Sequence, residues 1–147
     1  MIGRILVAVD DSPGGLAAAR TAIGLAASLA AQLRAVHVLV DGDLDRALAA
    51  VHSGDVRARR SFGATAVLDH VARRAAQAGV KAETVSLGGD PARCILDEAR
   101  TWVADLIVMG RSDLPAGTGQ PYVGGEVRQV LEFAEQPVLV VPVGSGD

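Results

Sequence analysis

A glycine-rich segment that follows an apolar run is the first place where the chain could do chemistry. It begins at Gly110, with Arg111 and Ser112 beside it, and it ends at Gly124 and Gly125. Loops of this kind between a strand and a helix can wrap a phosphate, because backbone N–H groups converge there and the helix N-terminus adds partial positive charge. Glycines also serve in plain surface turns, so composition leaves a phosphate loop and an ordinary loop both open.

A second candidate is Asp10, which follows the apolar run Ile5 to Val9. A carboxylate at the end of a strand can accept hydrogen bonds from an amino group or from ribose hydroxyls. Its alternative role is local, since Asp10, Asp11 and Ser12 can together cap the helix that follows. The sequence is compatible with either role.

The other nucleophiles and metal ligands form no catalytic arrangement. His37, His52 and His70 have no partners at metal-ligand spacing, and the lone Cys94 stands in an apolar pattern typical of a small core residue. There is no Gly-x-Ser-x-Gly elbow, no Gly-Lys-Ser/Thr phosphate loop and no pair of carboxylates for acid–base work. The sequence therefore predicts no metal site and a protein that is not an enzyme.

Apolar runs and helical periodicities alternate along the chain and would position these candidates. Short continuous apolar runs predict strands covered on both faces, and apolar residues three and four apart predict helices. Their alternation predicts a mainly parallel sheet with a ligand crevice at its carboxyl edge. The predicted strands are residues 5–9, 35–40, 80–87, 105–109 and 137–141, the predicted helices are residues 15–33, 62–78, 91–102 and 126–134, and residues 41–60 have no firm boundaries.

Composition limits the class of protein. The chain has 147 residues, half of them hydrophobic, which suits one domain over residues 1–147 with a frayed tail at 143–147. A net charge of −3 and only two Phe, one Trp and one Tyr argue against a nucleic-acid partner. Since neither a signal peptide nor a membrane-length apolar run is present, we expect a cytoplasmic protein without a membrane partner.

Five segments of the chain carry a family resemblance when they are taken together. They are Ile5 to Ser12, Val36 to Val38, Gly89 to Pro91, Asp105 to Gly110, and Pro137 to Pro142. In this order they closely resemble the universal stress protein family over nearly the whole chain. The resemblance implies a single-domain, Rossmann-like α/β fold: a five-stranded parallel sheet in the order 3-2-1-4-5 with helices on both faces. It also implies a homodimer, and many members of the family bind ATP.

The resemblance assigns roles to the candidates. In ATP-binding members the acidic residue after the first strand holds the adenosine, the end of the second strand lines the base pocket, and the loop after the fourth strand wraps ribose and phosphates. Transferred by position, the implied nucleotide-binding residues are Val9, Asp10, Val38, Gly110, Arg111, Ser112, Gly124 and Gly125.

The loop departs from the family's phosphate signature, which is glycine, two residues, glycine, nine residues, then glycine followed by Ser or Thr. Gly110 fits, but Asp113 replaces the second glycine, the spacing to Gly124 is one residue longer, and Gly125 replaces the hydroxyl residue. Val127 stands where a second hydroxyl is common. An inward carboxylate at position 113 would repel phosphate by around 1 kcal/mol at about 4 Å in water.

Three functions remain open. The leading one is a stress-response regulatory module that binds an adenine nucleotide, ATP with Mg²⁺ or AMP, at the carboxyl edge of the sheet. The alternative, favoured by the departures in the loop, is a nucleotide-free dimer that acts through contacts with an unidentified regulatory protein. A slow ATP hydrolase is the third, although no base is identifiable. In each case the edge strand, Pro137 to Val143, is expected to pair across a homodimer.

Overall fold

Five strands and four helices alternate in the computed structural model, which describes residues 1–10, 12–39, 65–111 and 124–143. The strands are β1 (Arg4–Ala8), β2 (Gln32–Leu39), β3 (Ala82–Gly88), β4 (Leu106–Gly110) and β5 (Val138–Val141). The helices are α1 (Pro13–Leu29), α2 (residues 65–77), α3 (Pro91–Trp102) and α4 (Gly125–Phe133).

The strands form one parallel sheet in the order β3-β2-β1-β4-β5, which confirms the predicted fold class. In the register, Ile5 of the central strand β1 is paired with Leu33 of β2 on one side and with Leu106 of β4 on the other. Because all strands run in the same direction, the carboxyl ends of β1, β2 and β4 meet at one edge of the sheet.

The sheet is covered on both faces, as its continuous apolar strands predict. On one face, Ile5 and Val7 of β1 pack against the alanine-rich side of α1 and against α2. On the other face, Leu6 packs with Ile107 of β4 against α3 and α4. Small side chains on α1 let the helix lie close to the sheet. No helix in the described ranges is long and apolar enough to cross a membrane.

The boundary between the first helix and the second strand was predicted wrongly, since β2 begins at Gln32 and not at Ala35. The alanine-rich periodicity predicted a first helix that continues to Leu33, whereas α1 ends at Leu29 and Leu33 lies in β2. The helix stops because Ala30 adopts a left-handed conformation (φ 53°), and the N–H of Ala31 then donates to the carbonyl of Ala26 at 2.9 Å. A non-glycine residue in this conformation leaves no signature in the sequence.

A cation links α3 to the sheet. Arg34 of β2 donates hydrogen bonds of 2.6 Å to Glu83 of β3 and to Glu98 of α3, and its guanidinium lies 4.7 Å from the ring centroid of Trp102. Partial burial alone would lower the Arg34 pKa, but the hydrogen bonds and charges of the two glutamates raise it overall. This contact fixes the helix whose first turn forms one wall of the candidate site.

Candidate functional site

A cavity lies at the carboxyl edge of the sheet, where β1, β2 and β4 end. Its described walls enclose about 170 Å³, and a cavity of about 150 Å³ is enough to hold a benzene-sized ring. The walls are formed by Ala8, Val9, Asp10, Ser12, Gly14, Gly15, Val36, Val38, Pro91, Ile95, Met109, Gly110, Arg111, Glu126 and Val127.

Close backbone packing holds the β1, α1 and β4 side of the cavity in place. A Cβ atom added at Gly14 would lie 2.6 Å from the carbonyl oxygen of Arg111, and one added at Gly110 would overlap the carbonyl of Gly14. A Cβ at Gly15 would lie 2.7 Å from the backbone nitrogen of Asp10. Only glycine lets the first turn of α1 approach the end of β4 so closely.

Asp10 and Ser12 form a small hydrogen-bonded unit within this wall. Ser12 is the N-cap of α1, and its Oγ accepts a hydrogen bond of 3.1 Å from the N–H of Gly15. The backbone N–H of Ser12 donates to Asp10 Oδ1 at 3.0 Å, and the hydroxyl of Ser12 donates to the same oxygen. Within the described residues Oδ2 takes no hydrogen bond, so Asp10 supports the cap and still offers an acceptor to a ligand.

The wall opposite the glycines is apolar. Val36 and Val38 of β2, Met109 of β4 and Ile95 of α3 contribute side chains to it. The first turn of α3 completes the wall and is capped by Asp90, whose Oδ2 accepts a hydrogen bond of 3.0 Å from the N–H of Arg93. An apolar slot beside a carboxylate suits a flat heterocycle that carries hydroxyl or amino donors.

The α4 wall differs from the α1 wall. Gly124 is the N-cap of α4 and makes no side-chain cap hydrogen bond, and a Cβ at Gly125 would meet no atom of the described residues within 4 Å. Val127 is only 3% exposed and offers no hydrogen bond from its side chain. The two positions at which the family carries hydroxyl groups therefore provide only backbone and apolar surface.

Glu126 is a pocket residue that the sequence analysis missed. It lies in the first turn of α4, and although the residue is exposed, it is one of the residues that line the cavity. Partial burial, followed by the negative charges of Asp10 and Asp90, raises the pKa of the Glu126 carboxyl above its ordinary value. An acidic residue in a first helical turn normally complements the helix dipole, so nothing in its local sequence signals a pocket.

The structure brings most of the predicted site residues together. Val9, Asp10, Val38, Gly110 and Arg111 line the cavity. The predicted residues Gly124 and Gly125 come immediately before Glu126 in the α4 wall, with Gly124 at the N-cap. Four parts of the sequence analysis lie outside the described residues: the predicted site residue Ser112, the departure from the phosphate signature at Asp113, the segment 41–60 and residues 144–147.

Of the other groups that the sequence analysis considered, those within the described residues do not line the cavity. His37 lies within β2 and His70 within α2, whereas His52 falls outside the described ranges. Cys94 is partly buried in α3, and burial together with the charges of Asp90 and Asp97 raises its pKa, which disfavours a thiolate. Across the described ranges, no group of three or more His, Cys, Asp or Glu side chains is placed to hold a metal ion.

A larger groove of about 560 Å³ runs between α3 and α4. Arg93 and Arg100 of α3 border it on one side, and Gln129 and Phe133 of α4 border it on the other. It lies on the outside of the helix layer, whereas ligands of parallel sheets bind beyond the carboxyl ends of the strands. We therefore place the candidate site at the smaller cavity, which gathers the ends of β1, β2 and β4.

Sequence comparison agrees with this geometry. A family model described as the universal stress protein family matches residues 1–142. Universal stress protein MJ0531 of Methanocaldococcus jannaschii is 34% identical over 140 residues, which cover 94% of this chain and 81% of that protein. Universal stress protein YxiE of Bacillus subtilis is 28% identical over 148 residues, which cover 96% and 99% of the two chains.

Solved structures share the fold. The protein MJ0577 superimposes with a TM-score of 0.81 at 18% identity over 99% of both chains. A universal stress protein solved in complex with cAMP gives a TM-score of 0.70 at 23% identity, with 97% and 98% of the chains covered. One from Archaeoglobus fulgidus, solved in complex with dAMP, gives 0.67 at 23% identity, with 96% and 99% covered.

Proposed function

The chain belongs to the universal stress protein family, and we propose that it is a stress-response regulatory module that binds an adenine nucleotide at the carboxyl edge of its sheet. The observation that carries the proposal is Asp10, which lines the cavity: its Oδ1 accepts two hydrogen bonds from Ser12, while its Oδ2 accepts none from the described residues. A ribose or an adenine amino group supplies the donors that such an oxygen accepts.

The chemistry of the pocket supports an adenine ligand. Val36, Val38 and Met109 supply apolar surface for a base, and Arg111 supplies a positive charge near the start of the loop. Two of the solved neighbours carry adenine nucleotides with a single phosphate, cAMP in one and dAMP in the other. We propose no chemical reaction at this site, and the regulatory effect comes from binding of the nucleotide alone.

Titration calorimetry of nucleotide-stripped protein tests the proposal. The ligands are adenosine, AMP, cAMP, and ATP with and without Mg²⁺, and the variants are Asp10→Ala and a control, Asp69→Ala, on the exposed side of α2. We expect micromolar binding of at least one ligand and a loss of about tenfold or more in Asp10→Ala, since a hydrogen bond to a charged group contributes about 1.5–3 kcal/mol. Asp69→Ala should bind as the wild type does.

Two results would contradict the proposal. One is the absence of heat with every ligand from folded wild-type protein. The other is binding that survives unchanged in Asp10→Ala, which would move the ligand away from this cavity. Circular dichroism of the variant separates a lost contact from a lost fold, because Asp10 also accepts the hydrogen bonds of the α1 cap.

A second candidate function, contact with a regulatory protein through a homodimer, is favoured by the edge strand β5. In the sheet of the described residues β5 pairs only with β4, and exposed apolar side chains flank it: Leu139 is 38% exposed and Phe133 is 64% exposed. An apolar edge of this kind is a template for pairing with another chain.

Sedimentation velocity tests the dimer. The carbonyls of Pro137 and Val141 accept bonds from β4, so the alternation along the strand directs the backbone of Val140 to the open edge. We expect a dimer that Val140→Pro and, independently, Leu139→Lys convert to a monomer. A monomeric wild type, or a dimer that withstands both substitutions, would remove this candidate.

A further inference from the structure

The position of Glu126 distinguishes this pocket from a plain phosphate site. The residue follows Gly124 and Gly125 at the start of α4, where backbone N–H groups are unpaired and favour an anion. Glu126 lines the same cavity as Asp10. The protein therefore places an anion of its own at a helix end that would otherwise favour a bound phosphate.

The charges of the residues that line the cavity also disfavour a ligand with several phosphates. Among the described lining residues, Asp10 and Glu126 carry negative charge and Arg111 carries positive charge. Asp90, at the N-cap of α3, lies close enough to Glu126 to raise its pKa. One guanidinium can offset a single phosphate, but further phosphate charges meet carboxylates in a partly dehydrated space, where like charges repel more strongly than in bulk water.

Within the described residues, the α4 wall offers no neutral side-chain donor at positions 125 and 127 to offset this repulsion. Gly125 has no side chain, and Val127 is buried and apolar. Carboxylate oxygens only accept hydrogen bonds, so Asp10 and Glu126 favour ligand groups that donate, such as ribose hydroxyls and an exocyclic amino group. The nucleoside part of a ligand can therefore donate hydrogen bonds in this pocket, whereas each added phosphate finds fewer favourable contacts.

Resting on the nucleotide-binding function proposed above, we infer that Glu126 is a specificity-determining residue that makes the pocket select adenosine and its monophosphates over ATP. The selection acts through charge. The negative charge of Glu126 disfavours ligands with more phosphates, and this effect requires no contact between Glu126 and the base.

A series of ligands with increasing negative charge tests the inference. Affinities for adenosine, cAMP, AMP and ATP without Mg²⁺ are measured by calorimetry for the wild type and for Glu126→Gln, which has the same shape without the charge. Glu126→Asp keeps the charge, and Glu132→Gln removes a carboxylate from the exposed side of the same helix. We expect the wild type to bind AMP at least about tenfold more tightly than ATP, as unit charges a few ångströms apart in this setting would produce.

The response of Glu126→Gln should rise with ligand charge. We expect ATP to bind about tenfold more tightly than to the wild type, AMP about threefold more tightly, and adenosine within about twofold. These gains should shrink in high salt, because screening weakens a charge effect and leaves a packing effect unchanged. Glu126→Asp and Glu132→Gln should keep the wild-type preference.

The outcomes separate this inference from the proposed function. If adenosine binds and Asp10→Ala abolishes binding, but Glu126→Gln changes all four affinities equally or not at all, the inference is wrong and the nucleotide site stands. A wild type that binds ATP as tightly as AMP without Mg²⁺ also overturns the inference alone. If no ligand binds to any of the folded proteins, both are overturned together.

Discussion

The two walls of the pocket differ in how tightly they are packed. One wall is formed by β1, α1 and β4, and the other is formed by α4. In the first, Gly14 and Gly110 bring two backbone segments into direct contact, and a Cβ on either glycine would meet backbone atoms. In the second, a Cβ on Gly125 would meet no atom of the part of the chain that the structure describes, and Gly124 caps the helix without a side-chain bond.

This difference suggests a division of roles. The first wall has no room for an added atom, so its close backbone packing is required for folding. The same packing keeps Asp10 in position. A wall with open space tolerates new side chains at little cost in stability. The preference for a ligand can therefore change at Gly125 and Glu126 while the nucleoside end of the site stays the same.

The largest effect expected from this comparison is on folding. Gly14→Ala should lower the free energy of unfolding by about 1–3 kcal/mol, because the new Cβ must push the start of α1 away from the carbonyl of Arg111. Gly125→Ala is the matched control in the other wall, and we expect it to be neutral or to stabilise by about 0.5 kcal/mol. Urea denaturation measures both. Equal losses would mean that the two walls are not different.

A substitution of Ser12, the N-cap of α1, tests how the first wall positions Asp10. Ser12→Ala should cost about 1 kcal/mol of stability, because the N–H of Gly15 loses its acceptor. Adenosine affinity should fall about threefold as well, since Asp10 loses the hydrogen bond from the Ser12 hydroxyl and keeps only the one from the backbone N–H at position 12. Ser28→Ala, at an exposed position of α1, is the control for stability and binding. A stability loss with unchanged affinity would show that Asp10 needs no positioning by Ser12.

Gly125→Ser tests the second wall by adding a donor where space is open. We expect AMP to bind about three- to tenfold more tightly, the equivalent of one modest hydrogen bond, while adenosine binding stays constant. Calorimetry with both ligands measures the effect, and Gly125→Ala separates the hydroxyl from the added carbon. If adenosine gained as much as AMP, the α4 wall would not face the phosphate.

The smallest expected effect is a pH dependence of stability. The raised pKa of Glu126 means that the folded chain holds this proton more tightly than the unfolded chain does. Stability then falls as pH rises from the unfolded pKa through the higher folded pKa. The advantage of Glu126→Gln over the wild type should therefore increase between pH 4 and pH 7, and thermal melts across that range measure it. A constant difference would show that folding does not raise the pKa of Glu126.

The sequence predicted much of the site because its signals are local. The end of the first apolar run identified Asp10, and the end of the fourth predicted strand identified Gly110. The family resemblance then supplied the strand order and added Val38. All three line one cavity, although 100 residues of chain separate Asp10 from Gly110.

The signals for the remaining features are not local. The role of Gly14 depends on the approach of Arg111 from another element, and the role of Glu126 depends on Asp10 and Asp90. The end of α1 depends on Ala30, whose left-handed conformation is favoured by the pairing of β2 that starts directly afterwards. In each case the role of the residue depends on contacts that form only when the chain folds.

By itself, the sequence determined the alternation of strands and helices, the parallel sheet and the edge at which a ligand would bind, because side-chain periodicity reports which faces of each element are buried. Only the tertiary structure decided which residues form the pocket walls and what charge those walls carry. Contacts and Coulomb energies depend on distances between elements, and folding sets those distances.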